Sequence, residues 1–144
     1  MVMEVPAEAA TTLHESGVTP STHGGKTVTM KVFRSQAKEG GQFVFYEVPV
    51  EEGQVVLDVI HRIQATQAQD LAVRWNCKAG KCGSCSAEIN GRPRLMCMTR
   101  MNTFSHDETV TVTPMRAFPA IRDLVTAVSC NDQKARPVPA STPP

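Results

Sequence analysis

Cys77, Cys82, Cys85 and Cys97 follow the spacing Cys-x4-Cys-x2-Cys-x11-Cys, and no other feature of the chain limits its fold as strongly. Three of the five cysteines crowd into CKAGKCGSC, and the total is odd. Sulfurs this close in sequence cannot all reach disulfide geometry, and one would be left over. A reducing compartment with metal-binding thiolates is the better account. For four thiolates to converge, the segment around the first three must wind tightly. Gly80 and Gly83 allow that and bring backbone N–H groups near the sulfurs. Lys78, Ala79, Lys81 and Ser84 add no bulk that would block the wrap. The Asn90-Gly91 pair, a strong hairpin signal, then turns Ser86–Ile89 back through Pro93–Leu95 and delivers Cys97.

Structural zinc sites pair Cys-x2-4-Cys knuckles, whereas here x4 and x2 share Cys82 and the fourth thiol follows at x11. A catalytic thiol needs a positioned base, and no motif supplies one. The order Cys-x4-Cys-x2-Cys…Cys is the plant-type spacing for a [2Fe–2S] cluster. Cys77, Cys82, Cys85 and Cys97 are therefore the expected iron ligands, and one-electron transfer is the expected chemistry. Charge agrees with this. Six basic residues (Arg74, Lys78, Lys81, Arg92, Arg94, Arg100) stand against Glu88 alone between 74 and 100, while the rest of the chain has nine basic and thirteen acidic residues. A local positive field favours the reduced, more negative cluster. The same charges could be ordinary solvated surface or a docking face for an acidic partner. The formal net charge of +1 gives no footing for a nucleic-acid partner, and none is expected.

Pattern is confined to about 28–128 of the 144 residues. Residues 1–26 are polar and lack an apolar period, so a disordered tail is expected there. Residues 133–144, QKARPVPASTPP, are expected to be unstructured as well. No segment reads as a secretory signal or is apolar for long enough to span a bilayer. Val28–Arg34 alternates as a strand does, and Gln42–Val50 is a second strand whose Pro49 belongs at an end or edge. Lys38-Glu39-Gly40-Gly41 reads as the turn between them. Gln54–Gln67 places Val56, Val59, Ile60 and Ile63 on one helical face. Thr109–Thr113 is a late strand, and Ile121–Val128 reads as a short helix. These elements predict an α+β domain with a helix packed on a small mixed sheet. The expected boundaries are 1–26 for the tail, 27–116 for the domain and 117–144 for a mostly irregular linker.

Other reactive residues read as ordinary. Cys130 has no later cysteine to join and is expected to be a free thiol. His14, His23, His61 and His106 lie far from the cysteines, which excludes a Rieske pairing. Trp75 reads as a packing residue, and Met96, Met98 and Met101 as an apolar wall near the cluster.

With these residues in view, RWNCKAGKCGSCSAEINGRPRLMC (74–97) closely resembles the iron–sulfur subunit of succinate dehydrogenase/fumarate reductase, actinobacterial forms especially. The similarity continues through VVLDVIHRIQATQ (55–67) and FPAIRDLV (118–125). It implies a β-grasp, ferredoxin-like N-terminal domain whose [2Fe–2S] cluster is held at Cys77, Cys82, Cys85 and Cys97. It further implies an FAD-containing flavoprotein subunit as electron donor, contact with membrane-anchor subunits only indirectly, and a place on the cytoplasmic face of the inner membrane. The family continues into a helical domain bearing [4Fe–4S] and [3Fe–4S] clusters. This sequence reaches Pro144 without those cysteine runs, so a truncated subunit or a short form is expected. A stand-alone ferredoxin-like carrier is the alternative.

Overall fold

The computed structural model describes residues 26–36 and 40–128. The expected tails, the turn at Lys38-Glu39, His14, His23 and Cys130 lie outside these residues; Lys26 lies inside and opens the first strand.

Alternation of apolar residues builds the first two strands. In β1 (Lys26–Arg34), Val28, Met30 and Val32 point inward. In β2 (Gln42–Val50), Tyr46, Val48 and Val50 do the same, while Phe43, Phe45, Glu47 and Pro49 face out. The two run antiparallel along their whole length, from Lys26 opposite Val50 to Arg34 opposite Gln42. The sheet order is β2-β1-β5-β3-β4, with β3 at Ser86–Ile89, β4 at Arg92–Leu95 and β5 at Val110–Thr113. Only β1 and β5 pair in parallel, so the sheet is mixed. Pro49 sits on edge strand β2, where its missing donor costs no ladder bond.

Helix α1 (Val56–Thr66) covers the inner face with Val56, Leu57, Val59, Ile60 and Ile63. These meet Met30, Val32, Val48, Ala87, Ile89, Val110 and Val112 in one aliphatic core. Burying each such side chain contributes about 1.5–3 kcal/mol, which anchors the helix despite its short length. Asp58 Oδ2 accepts the Val55 N–H at 3.1 Å and closes the helix start. The α+β, β-grasp arrangement read from the sequence is thus the fold.

The segment 121–128 departs from expectation. It forms no helix but two short antiparallel strands, β6 (Ala120–Arg122) and β7 (Val125–Thr126). Its spacing of Ile121, Leu124, Val125 and Val128 suits a helix, yet eight residues nucleate one poorly. Asp123 takes a left-handed φ of 47°, which ends any helical path. Leu124 is buried from the turn rather than from a helical face.

Candidate functional site

The four sequence-predicted cysteines fall into two pairs with different supports. Cys85 immediately precedes β3 and Cys97 follows β4 two residues after Leu95, and both are buried. The strands bring them together: Met96 N–H donates to Cys85 O at 3.1 Å, and Cys97 N–H approaches Cys85 Sγ at 3.5 Å. The hairpin between them turns through Asn90 and Gly91, both at positive φ (49° and 74°), as a type I′ turn requires. Helix α1 clamps the same segment. Its first two N–H groups have no intrahelical acceptor, and they donate to Thr99 O (Val56, 2.9 Å) and Met96 O (Leu57, 3.1 Å). Sequence reasoning missed this clamp, because nothing local marks which carbonyls a helix end will meet.

Cys77 and Cys82 lie on an exposed loop. Cys77 Sγ faces three backbone donors, the N–H groups of Ala79 (3.3 Å), Lys81 (3.4 Å) and Cys82 (3.4 Å). Cys82 Sγ faces the N–H of Ser84 at 3.5 Å. Lys78 and Gly80 at positive φ (53° and 69°) curl the chain around the first sulfur. A Cβ on Gly80 would stand 2.9 Å from Cγ and Sδ of Met98, so the loop passes directly under that side chain. Of the expected methionine wall, Met96 and Met101 are buried in the core, whereas Met98 is 60% exposed and lies over the loop.

The environment of Cys82 suits a thiolate. Hydrogen bonds from Ser84 and around Cys77 bring the Cys82 thiol down to about 6. Burial pushes the Cys85 thiol up, as it does for any sulfur shielded from water without a bound cation. Among the described residues, no three His, Cys, Asp or Glu side chains gather as ligands of one metal ion do. The thiols instead fall into two pairs, Cys77/Cys82 and Cys85/Cys97, each joined by an N–H···S contact.

The 74–100 stretch carries the excess positive charge. Among the described arginines, Arg34, Arg62, Arg116 and Arg122 all pair with carboxylates. Lys78, Lys81, Arg92, Arg94 and Arg100 form no ion pair with the described residues. Glu88, the acidic exception in this stretch, is buried and bound by the Arg116 side chain at 2.8 Å. Trp75 is 47% exposed, with its ring 4.9 Å from the His61 ring and 4.9 Å from Lys78 Nζ. It packs, as expected, but on the surface beside Cys77. A cleft of about 300 Å³ borders Cys82 and is walled by Met115, Phe118, Leu124 and Val128.

A β-grasp sheet crossed by one helix, with two thiols on the loop that leads into β3 and two flanking the β3–β4 hairpin, defines a ferredoxin-type domain. Residues 29–133 match the family described as the 2Fe-2S iron-sulfur cluster binding domain. The chain belongs to that family, and its cofactor is a [2Fe–2S] cluster. It is 39% identical over 97 residues to the fumarate reductase iron-sulfur subunit of Mycobacterium tuberculosis, covering 67% of this chain and 39% of that protein. It is 35% identical over 103 residues to the corresponding subunit of Wolinella succinogenes, covering 69% and 43%. A chain of the Mycobacterium smegmatis Sdh1 complex in the apo form superposes with a TM-score of 0.76 at 65% identity, covering 83% of this chain and 50% of that one. The relation to succinate dehydrogenase/fumarate reductase iron–sulfur subunits is therefore as the sequence implied. This chain spans half or less of each of these relatives.

Proposed function

We propose that Cys77 and Cys82 hold one iron of the cluster, that Cys85 and Cys97 hold the other, and that the domain relays electrons within a succinate dehydrogenase/fumarate reductase-type complex. The observation that carries this reading is the division of the four thiols into two N–H···S-bridged pairs. When bound, a [2Fe–2S] cluster takes up and gives back one electron. The chain's own groups prepare for that exchange. Backbone N–H groups aimed at Cys77 and Cys82 stabilise negative sulfur, and the unpaired cations Lys78 and Lys81 add a positive field. The Cys85/Cys97 pair lies among core residues, which keeps water from that side.

The donor in this reading is the reduced flavin of an FAD-bearing flavoprotein subunit. Cys77 and Cys82 are exposed, so a partner can approach that edge. No helix of the described residues is long and apolar enough to cross a membrane, which suits a subunit held at the cytoplasmic face through other chains.

Anaerobic purification followed by iron, sulfide and EPR measurement tests the assignment. We expect about two irons and two acid-labile sulfides per chain and a rhombic signal on reduction. Cys77→Ser and Cys97→Ser should each weaken the cluster or alter its spectrum. Unchanged absorption and EPR in both would refute the ligand set. Failure to bind a co-expressed flavoprotein subunit would refute the complex.

A further inference from the structure

We infer that Asp123 is a positioning residue for the outer, Cys77/Cys82 half of the cluster site: its buried carboxylate fixes the root of the cysteine loop through Ala72. This rests on the ligand assignment proposed above.

Residues 67–76 join α1 to Cys77 with neither helix nor strand. Helix α1 reaches along this segment as far as Leu71, whose carbonyl accepts from Gln64 Nε2 at 2.7 Å. Beyond Leu71 the β6–β7 hairpin takes over. Ala72 N–H donates to Asp123 Oδ2 at 2.8 Å, and Ala72 O accepts from Leu124 N–H at 3.2 Å. Two residues later, Arg74 Nη1 donates to Thr126 O at 3.0 Å. The next ligand, Cys77, is three residues on. The point where the chain enters the loop is thus set by the hairpin.

Asp123 is itself tightly held. Its side chain is 2% exposed. Oδ1 accepts from Arg34 Nε (3.1 Å) and from Ser35 N–H (2.9 Å), and its own N–H donates to Ser35 Oγ at 3.1 Å. A left-handed residue with three donors on a buried carboxylate has no freedom to shift, so the bond to Ala72 carries the rigidity of β1 into the loop. No bond links Asp123 to Cys85 or Cys97, which ride on β3, β4 and the start of α1. Disturbing Asp123 should therefore affect the exposed half of the site.

The test uses the full chain with its cluster. Asp123→Asn removes the charge while tolerating the left-handed backbone. We expect it to fold, with the wild-type far-UV spectrum, and to assemble the cluster. Iron release to a chelator should rise at least about tenfold, the effect of losing one charge-assisted hydrogen bond in the closed loop. The EPR g-values and reduction potential should shift. Arg34→Lys keeps a cation beside Asp123 and leaves the Ala72 bond in place. It should lower the melting temperature but leave iron release and g-values at wild type. Wild-type release and g-values in folded Asp123→Asn would overturn the inference. So would cluster changes that track melting temperature equally in both variants. If Asp123→Asn does not fold, Arg74→Lys, which shortens the reach to Thr126, should reproduce the faster release, and wild-type behaviour there would overturn the inference. A cluster untouched by Cys77→Ser would instead refute the ligand assignment, a separately readable result.

Discussion

Gly80→Ala measures what the tight loop demands of its backbone. Two effects oppose the added methyl group. The first is conformational, because Gly80 lies at φ +69°, where an L residue costs roughly 1–2 kcal/mol. The second is steric, because the new Cβ would fall 2.9 Å from Cγ and Sδ of Met98. Met98 is 60% exposed and unbranched, so it can swing outward at little cost, and the backbone effect should dominate. A penalty of about 1–2 kcal/mol on the closed loop corresponds to roughly a 5–30-fold change in the closed-to-open ratio. Iron release from the cluster to a chelator, followed by loss of visible absorption, should accelerate by that factor. Far-UV circular dichroism should not change, since Gly80 lies outside every strand and helix. Adding Met98→Ala separates the two effects: the double variant should stay within about twofold of Gly80→Ala, because only the inexpensive contact has been relieved. Wild-type release in Gly80→Ala would mean that the loop can close without a left-handed glycine. Full rescue by Met98→Ala would mean that packing, not backbone conformation, sets the constraint. Either result would refute the reasoning.

Two other measurements follow from the charges. Burial, and then the Lys78 ammonium, hold the His61 imidazole below its usual value, with Asp58 pulling the other way, and His61 Nε2 is buried without a hydrogen-bond partner among the described residues. The folded state therefore takes up this proton less readily than the unfolded chain, so the contribution is present above about pH 6.5 and is lost as pH falls from there through the lower folded-state value. The melting temperature should drop more between pH 7.5 and 5.5 in wild type than in His61→Gln, and equal slopes would contradict this. Association with the proposed flavoprotein subunit should slow by about tenfold or more as salt rises, with the dependence flattened by Lys81→Glu together with Arg94→Glu. A salt-independent rate would remove these cations from the docking step.

Elements defined by their own residues were legible in the sequence. The alternation in β1 and β2, the face Val56, Val59, Ile60 and Ile63 of α1, and the Asn90-Gly91 turn all lie where the pattern put them, because burial of each depends on neighbours in sequence. The close spacing of Cys77, Cys82 and Cys85 was equally legible, since a short glycine-bearing loop has few ways to run. What escaped were contacts between distant segments. The donation of Val56 and Leu57 to Thr99 and Met96 leaves no trace in either stretch. The hairpin at 120–126 carries helical apolar spacing, and only its union with Ser35 and Ala72 makes the turn at Asp123 the better state. A polar residue inside an apolar run, Asp123 in IRDLV, was the one available hint, since a buried carboxylate needs donors from elsewhere.

The two halves of the site therefore gain rigidity from different sources. Cys85 and Cys97 are placed by a sheet and a helix end, where moving a sulfur means breaking ladder bonds or the helix start. Cys77 and Cys82 are placed by a loop whose approach is held by Gln64 on Leu71 and by the clamp of the 120–126 hairpin on Ala72 and Arg74. In the proposed assignment, the exposed edge can thus meet a partner while the buried edge holds the cluster in register with the core. This ties the segment after β5, which reads as the way out of the domain, to the entry of its first cysteine.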